Sequence, residues 1–251
     1  METAIEREGM MTRVQRYVDI LTDAGFKAVF GDQRNKDVLI DLLNVMLPPH
    51  RRVKEITYQT TEIPSFSLFN KSTRLDLRCK GEDGTQFIVE VQCYHQANFF
   101  RRCVLYASKA YDAGSERGDG GKYDIHPVYF LGLLDKTMQD MQQYSPEGSV
   151  ISEYTFREKT TEMVPDETIF CIFVELNRFG KELDECESML DKWCYSLKHI
   201  STLDRLPGKL RTKAFERLFQ ACEIARFEPE VKLKYEKEMF TERDYYNIIE
   251  T

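Results

Sequence analysis

Apolar residues at helical spacing mark the first clear element of the chain. In the segment NKDVLIDLLNVMLPP the apolar positions share one helical face, and two prolines end the helix: Val38, Leu39, Leu42, Leu43 and Met46, then Pro48 and Pro49. Asp37, Asp41 and Asn44 fall on the opposite stripe, for which a solvated face is the simplest interpretation. The pattern therefore predicts an amphipathic helix packed on a core.

The segment STRLDLRCKGEDGTQFIVEVQ alternates in the manner of a β-hairpin. The letters GEDGT suit a three-residue loop over residues 82–84, in which Gly84 adopts the left-handed conformation and closes a G1 bulge. This loop predicts three facing pairs: Gly81 and Thr85, Arg78 and Ile88, Asp76 and Glu90. A four-residue loop would shift the register by one, so the facing of the two carboxylates depends on the turn.

Alternation also assigns the hairpin residues to two faces. The apolar face collects Leu75, Leu77, Cys79, Phe87, Val89 and Val91, and the other carries Asp76, Ile88, Glu90 and Gln92. Like charges directly opposite each other weaken a sheet. The two carboxylates could share a proton, extend into solvent, or bind a divalent cation such as Mg²⁺ or Mn²⁺, and the hairpin alone leaves these alternatives open.

The remaining pattern alternates strands with helices. Residues 56–69 fit a short strand or extended arm, limited by Pro64. A helix over residues 97–114, ended by Gly114 and a loop, has one apolar face: Phe100, Cys103, Val104, Ala107 and Tyr111. The run HPVYFLGLLD fits a strand buried on both faces, and SVISEYTFR and ETIFCIFVELNRF fit two more.

From Lys181 onward the pattern is helical, and Trp193 and Tyr195 fit the core side of one helix better than a base-stacking platform. A mixed α/β core with a helical C-terminal portion is therefore predicted. The 251 residues, 42% of them hydrophobic and 31% charged, are enough for one large domain or a domain with an appendage. No apolar run approaches the roughly 20 residues that span a bilayer, and the N-terminal segment lacks an apolar signal region, so a cytoplasmic protein without a membrane partner is expected.

Cysteine and charge patterns narrow the chemistry. The seven cysteines are scattered without a C-x-x-C pair, which favours reduced thiols over a zinc or redox site. The net charge of −7 argues against a uniformly basic protein, although a local basic strip can contact phosphate. Such a strip flanks Asp76 in the segment KSTRLDLRCK and consists of Lys71, Arg74, Arg78 and Lys80.

Several short segments together resemble one known family. In chain order they are FKAVFG at 26–31, VLIDLLN at 38–44, RLDLRC at 74–79, FIVEVQ at 87–92, RCVLYASKAY at 102–111, VELNRF at 174–179 and LDKWCYSLK at 190–198. The chain resembles the Rpn family of recombination-promoting nucleases, also described as transposases of the PD-(D/E)XK nuclease superfamily. The motifs span most of the chain in the same order and are more specific than the short acidic pattern alone.

The resemblance implies a fold and an activity. The fold is an α/β PD-(D/E)XK restriction-endonuclease-like mixed central sheet flanked by helices, with a helical C-terminal portion. Residues 1–140 would form the nuclease-like core, and residues 141–251 would add strands and a helical region packed on that core. The implied activity is metal-dependent hydrolysis of DNA phosphodiester bonds by an endonuclease, in recombination or mobile-element biology.

The resemblance also implies roles for the residues of the hairpin. By motif position, Asp76 is the signature aspartate and Glu90 the acidic residue of the second strand. Both would bind Mg²⁺ or Mn²⁺, with the main-chain carbonyl of Val91 as a further ligand. Gln92 stands where the superfamily usually has lysine and would orient the attacking water. Because glutamine is neutral, the metal would have to supply more of the electrostatic stabilisation.

DNA is the partner implied by the resemblance. Arg102, Tyr106 and Lys109 follow one helical stripe and would contact phosphate or hold the carboxylates, or else form a solvated edge. Arg74 and Arg78 would supply further DNA contacts. The terminal helices are candidates for a homodimer interface.

Two other functions are compatible with the sequence. A nuclease-fold DNA-binding or assembly module with little or no catalysis is favoured by Gln92 and by the acidic net charge. True transposase activity is the other, although no strand-transfer motif is visible beyond the nuclease-like one.

Overall fold

The structure is a computed structural model that describes residues 15–63, 73–93, 98–115, 124–138 and 141–249, without the side chains of Thr73 and of residues 240–249. The predicted strand residues 64–69, the predicted loop residues 116–123 and Lys71 lie outside these ranges. The helices are α1 Asp23–Phe30, α2 Lys36–Met46, α3 Phe99–Ala113, α4 Met189–His199, α5 Lys213–Cys222 and α6 Pro229–Ile249. The strands are β1 Ile56–Tyr58, β2 Glu62–Ile63, β3 Thr73–Arg74, β4 Leu77–Gly81, β5 Gln86–Gln92, β6 Val128–Leu134, β7 Ile151–Thr155 and β8 Ile169–Glu175.

A mixed sheet of six strands organises the molecule, in the order β1-β4-β5-β6-β8-β7. The central strands β5, β6 and β8 run parallel, while β1, β4 and β7 pair antiparallel with their neighbours. Strands β2 and β3 form a separate two-stranded ribbon. All seven residues of β6 and of β8 are buried, as expected for central strands covered on both faces.

Helices cover the two faces of this sheet unequally. One face packs against α1, α2, α4 and α5, and its core includes Phe26, Leu39, Trp193 and Phe215. The other face packs against α3 through Phe99, Cys103, Ala107 and Ala110. Residues that alternate along β5 therefore enter two different cores. The predicted mixed α/β sheet flanked by helices is confirmed.

Helix α2 confirms the prediction for its apolar face, since Val38, Leu39, Leu42, Leu43 and Met46 are its buried residues. The prediction of a solvated opposite stripe is wrong. The Trp193 indole N–H donates to Asp41 at 2.9 Å, Asn44 exchanges two hydrogen bonds with the main chain of Val53, and Asp37 pairs with Arg217. The stripe is polar because the Trp193 indole, the Val53 main chain and the Arg217 side chain find their hydrogen-bonding or charged partners there.

Two predicted faces differ in part from the structure. In α3 the predicted Cys103 and Ala107 are fully buried together with Phe99 and Ala110, while the predicted Phe100, Val104 and Tyr111 are half-buried against the same core. Small side chains allow this stripe to approach the sheet closely. Leu75 packs with Ile88 on the α3 side rather than with Leu77, because the chain bends at Asp76 and breaks the alternation.

The C-terminal region contains the predicted helices, and Trp193 is fully buried as expected, whereas Tyr195 is half-buried. The seven cysteines form no disulfide, and six of them are buried. Among the described residues, no helix is both long enough and apolar enough to cross a membrane.

Candidate active site

The turn between β4 and β5 sets the register of the predicted hairpin. Gly84 has φ of +85°, and Gly81 donates its N–H to the Thr85 carbonyl at 2.8 Å. Arg78 faces Ile88, and Leu77 faces Val89. One residue further along the same register, Asp76 lies opposite Glu90. The three-residue loop and its register are therefore present as predicted.

Asp76 and Glu90 are linked through the main chains of their two strands. The Asp76 N–H donates to Glu90 Oε1 at 3.0 Å, and the Val91 N–H donates to Asp76 Oδ2 at 3.2 Å. Glu90 is 8% exposed, and the Asp76 side chain is 17% exposed. Each carboxylate thus accepts a hydrogen bond from the opposite strand, which holds the two like charges together.

Burial and proximity shift the acidity of both groups. Burial raises the pKa of Glu90, and the charge of Asp76 raises it further. Burial also raises the pKa of Asp76. The charge of Lys27 lowers this pKa, and Asp23 raises it further. The metal-free pair therefore favours a proton on Glu90, whereas a bound cation would favour the ionised form of both carboxylates.

Helix α1 brings a lysine to this pair. Lys27 Nζ lies 3.1 Å from Asp76 Oδ1 and also contacts Asp23, one turn earlier on the same helix. Although burial alone would lower it, the pKa of Lys27 is raised by these two carboxylates, so the ammonium form is favoured. Sequence reasoning gave no role to Lys27 or Asp23, although both lie in or beside the segment FKAVFG that carries the family resemblance.

Helix α3 covers the polar residues of β5. Arg102 Nη2 donates to Gln92 Oε1 at 3.0 Å, and Gln86 donates to the Ala110 carbonyl at 2.9 Å near the other end of the helix. The Arg102 guanidinium lies 5.8 Å from the centre of the Tyr106 ring. The structure therefore brings Arg102, Tyr106 and Gln92 together beside Glu90.

A family comparison covers nearly the whole chain: residues 20–251 match the model described as PD-(D/E)XK nuclease family transposase. The chain belongs to this PD-(D/E)XK family. Neither the curated proteins nor the solved structures include a significant match. Membership supports a nuclease-related function and agrees with the mixed sheet and flanking helices described above.

PD-(D/E)XK nucleases typically use divalent metal ions. The carboxyl groups of Asp76 and Glu90 have the chemistry to bind such an ion. Asp76 and Glu90 present hard oxygen donors, and a cation between them would favour the ionised form of both carboxylates over the protonated form of Glu90. Among the described residues, no group of three or more histidine, cysteine or acidic side chains is arranged to hold a metal.

The other predicted site residues take different positions. Val91 contributes its N–H to Asp76, and the role of its carbonyl as a metal ligand stays a prediction. Lys109 is half-buried on α3. Arg74 is exposed on β3, opposite Glu62 of β2. Arg78 is half-buried and donates to Gln86 at 2.6 Å. The roles of Lys109, Arg74 and Arg78 in DNA binding stay predictions.

Proposed function

We propose that the protein is a metal-dependent DNA endonuclease in which Asp76 and Glu90 hold Mg²⁺ or Mn²⁺. The observation that supports this most strongly is the reciprocal main-chain hydrogen bonding that keeps the buried Glu90 and the half-buried Asp76 carboxyl groups facing each other. Opposed buried charges lower stability, so their retention favours a functional explanation. Membership in a nuclease family supplies the reaction class.

The metal, when bound, would activate water and polarise the scissile phosphate. Gln92 would contribute a directional donor, since Arg102 donates to its side-chain carbonyl oxygen and its NH₂ group would then donate to a water or phosphate oxygen. The stacked Arg102 and Tyr106 hold this orientation. Arg102, Tyr106, Lys109, Arg74 and Arg78 would contact the DNA backbone, and the reaction would serve recombination or mobile-element biology.

Cleavage of supercoiled plasmid by purified protein tests the proposal. With Mg²⁺ or Mn²⁺ the wild type should nick or linearise the plasmid, and EDTA should abolish this. Asp76→Asn and Glu90→Gln should each reduce cleavage by at least about 100-fold, because each removes a ligand charge. Glu55→Gln is the matched control, since Glu55 is a surface carboxylate paired with Lys36. Cleavage equal to wild type in both site variants would refute the proposal.

A binding module without catalysis is the second candidate. It is favoured by one contact, the ion pair in which the Lys27 ammonium offsets the charge of Asp76 without a metal. The same assay separates the two functions. A folded wild type that binds DNA but does not cut it with either metal would support the binding module.

A further inference from the structure

The segment FKAVFG places one side chain at the carboxylate pair that the proposed chemistry has not used. We propose that Lys27 is a catalytic residue whose ammonium contacts the scissile phosphate and supplies the positive charge that Gln92 cannot. This inference rests on the proposed nuclease function and assigns a further residue to the same site.

The position of Lys27 is fixed by the helix that carries it. Thr22 caps α1 by accepting the Gly25 N–H at 3.1 Å, and Phe26 and Phe30 anchor the helix in the core. A side chain at Gly25 would collide with the Asp19 carbonyl, so the main chain before α1 packs closely against the first turn of the helix. The lysine between the two anchoring phenylalanines then extends to Asp76, 49 positions away in sequence.

Charge requirements of the reaction favour a cation at this point. In phosphodiester hydrolysis the water oxygen forms a bond to phosphorus and the bond to the leaving oxygen breaks. One water proton goes to the leaving oxygen, and the other stays on the product phosphate or passes to solvent. Additional negative charge develops on the phosphoryl oxygens in between, which a positioned donor stabilises. Gln92 is neutral, and Arg102 is directed to Gln92, whereas Lys27 carries a full charge beside Asp76.

Lys27 is also accessible to a substrate. Its side chain is one-third exposed and lines an open groove of about 720 Å³ between α1, α2, α5 and the start of α6. The groove contains five cationic side chains against three carboxylates, although the whole chain is acidic: Lys27, Arg34, Arg217, Arg226 and Lys234 against Asp32, Asp37 and Glu228. The positive excess in this groove would attract a phosphate backbone towards Lys27, whose ammonium contacts Asp76.

Replacement of Lys27 by methionine tests this role, with Lys36→Met as the matched control because Lys36 is a lysine paired with a single carboxylate on the surface. Single-turnover cleavage by Lys27→Met should be slower by about 100-fold, the usual effect of removing one transition-state donor. Mn²⁺ affinity, measured by calorimetry, should stay within threefold of wild type or become tighter, since a competing cation is removed from Asp76. Lys36→Met should match wild type in both measurements.

A second substitution offers a rescue. Gln92→Lys in the Lys27→Met background places an ammonium on the same face of β5 as Glu90. It should recover at least tenfold of the lost cleavage rate. Should Lys27→Met not fold, Lys27→Arg and Lys27→Gln replace it, and only Lys27→Arg should keep a tenth or more of the wild-type rate.

Each outcome distinguishes this inference from the proposed function. If wild type cuts and Asp76→Asn does not, but Lys27→Met cuts within twofold of wild type, the role of Lys27 is refuted and the nuclease stands. If Lys27→Met loses Mn²⁺ binding together with cleavage, Lys27 only holds the carboxylates, and the inference is again refuted. Equal rates in folded Lys27→Arg and Lys27→Gln would refute it as well. A wild type that never cuts refutes the nuclease and, with it, this role of Lys27.

Discussion

Glu90 is a residue of the site whose position lowers the stability of the folded protein. It lies in the β5 face that α3 covers, where its neighbours Gln86 and Gln92 are neutral and bonded to that helix. Burial and the charge of Asp76 both disfavour its ionised form. A glutamine would fit the same space and could still accept the Asp76 N–H. The Glu90 carboxylate therefore lowers the free energy of unfolding of the metal-free protein.

Glu90→Gln should consequently stabilise the metal-free protein by about 1 kcal/mol. The gain arises because folding must either bury the Glu90 charge or add a proton to it, a cost that the neutral glutamine does not carry, while the hydrogen bond from Asp76 is kept. Urea unfolding in EDTA measures the change. Adding Mn²⁺ should then raise the unfolding midpoint of wild type but not of Glu90→Gln.

The surface substitution Glu55→Gln provides the control for this comparison and should change the free energy of unfolding by less than about 0.5 kcal/mol. A Glu90→Gln variant less stable than wild type in EDTA would show that the carboxylate is structurally required, contrary to the prediction.

At the scale of elements, the β4–β5 turn determines whether the two carboxylates meet. Gly84→Ala should lower the free energy of unfolding by about 2 kcal/mol, because φ of +85° is unfavourable for alanine and its β-carbon would lie 2.4 Å from the His126 ring. Gly180→Ala, at an open position, should be nearly neutral. Denaturant unfolding of both variants measures this difference, and equal stabilities would contradict it.

The N-terminus of α4 gives a prediction for pH dependence. Despite desolvation, hydrogen bonds from Lys181 and Ser188 lower the pKa of Asp191 to about 2. A group whose pKa is lower in the folded protein than the unfolded value of about 3.9 stabilises the fold above that value. This stability is lost as the pH falls through the folded pKa.

Asp191→Asn should therefore be less stable than wild type by about 1 kcal/mol at pH 7, the usual contribution of a helix cap. The difference should persist down to about pH 4 and vanish near pH 2. Urea midpoints of both proteins across this range measure it. A difference that does not change with pH would show that the charge of Asp191 contributes nothing.

How much the sequence could predict at this scale depends on the range of the interaction. The hairpin register follows from the five consecutive residues 81–85, because the conformation of a tight turn depends on its own residues. Lys27 could not be found this way, since its contact with Asp76 arises from tertiary packing of α1 against the sheet. For the same reason the sequence pattern predicts a solvated stripe at Asp37 and Asp41, although their partners Arg217 and Trp193 come from distant segments.

At the scale of the whole molecule, the central sheet contains strands from both regions that the sequence analysis distinguishes, residues 1–140 and residues 141–251. Strand β8 pairs with β6 on one edge and with β7 on the other, and both β7 and β8 come after residue 140. The core on the α1 side likewise includes residues from Tyr17 to Tyr235. The carboxylate hairpin thus depends on a sheet completed by the C-terminal region.

A fragment that ends at residue 140 should therefore fail to unfold cooperatively. Without β8, the fully buried strand β6 becomes an open edge, and the loss of α4 and α5 exposes one face of the sheet. Thermal unfolding followed by circular dichroism should show a broad, non-sigmoidal change, with strong binding of an apolar dye. Co-expression with residues 141–251 should restore a single transition, because the missing strands and helices can then complete the sheet. A sharp transition in the isolated fragment would instead identify residues 1–140 as an independent folding unit.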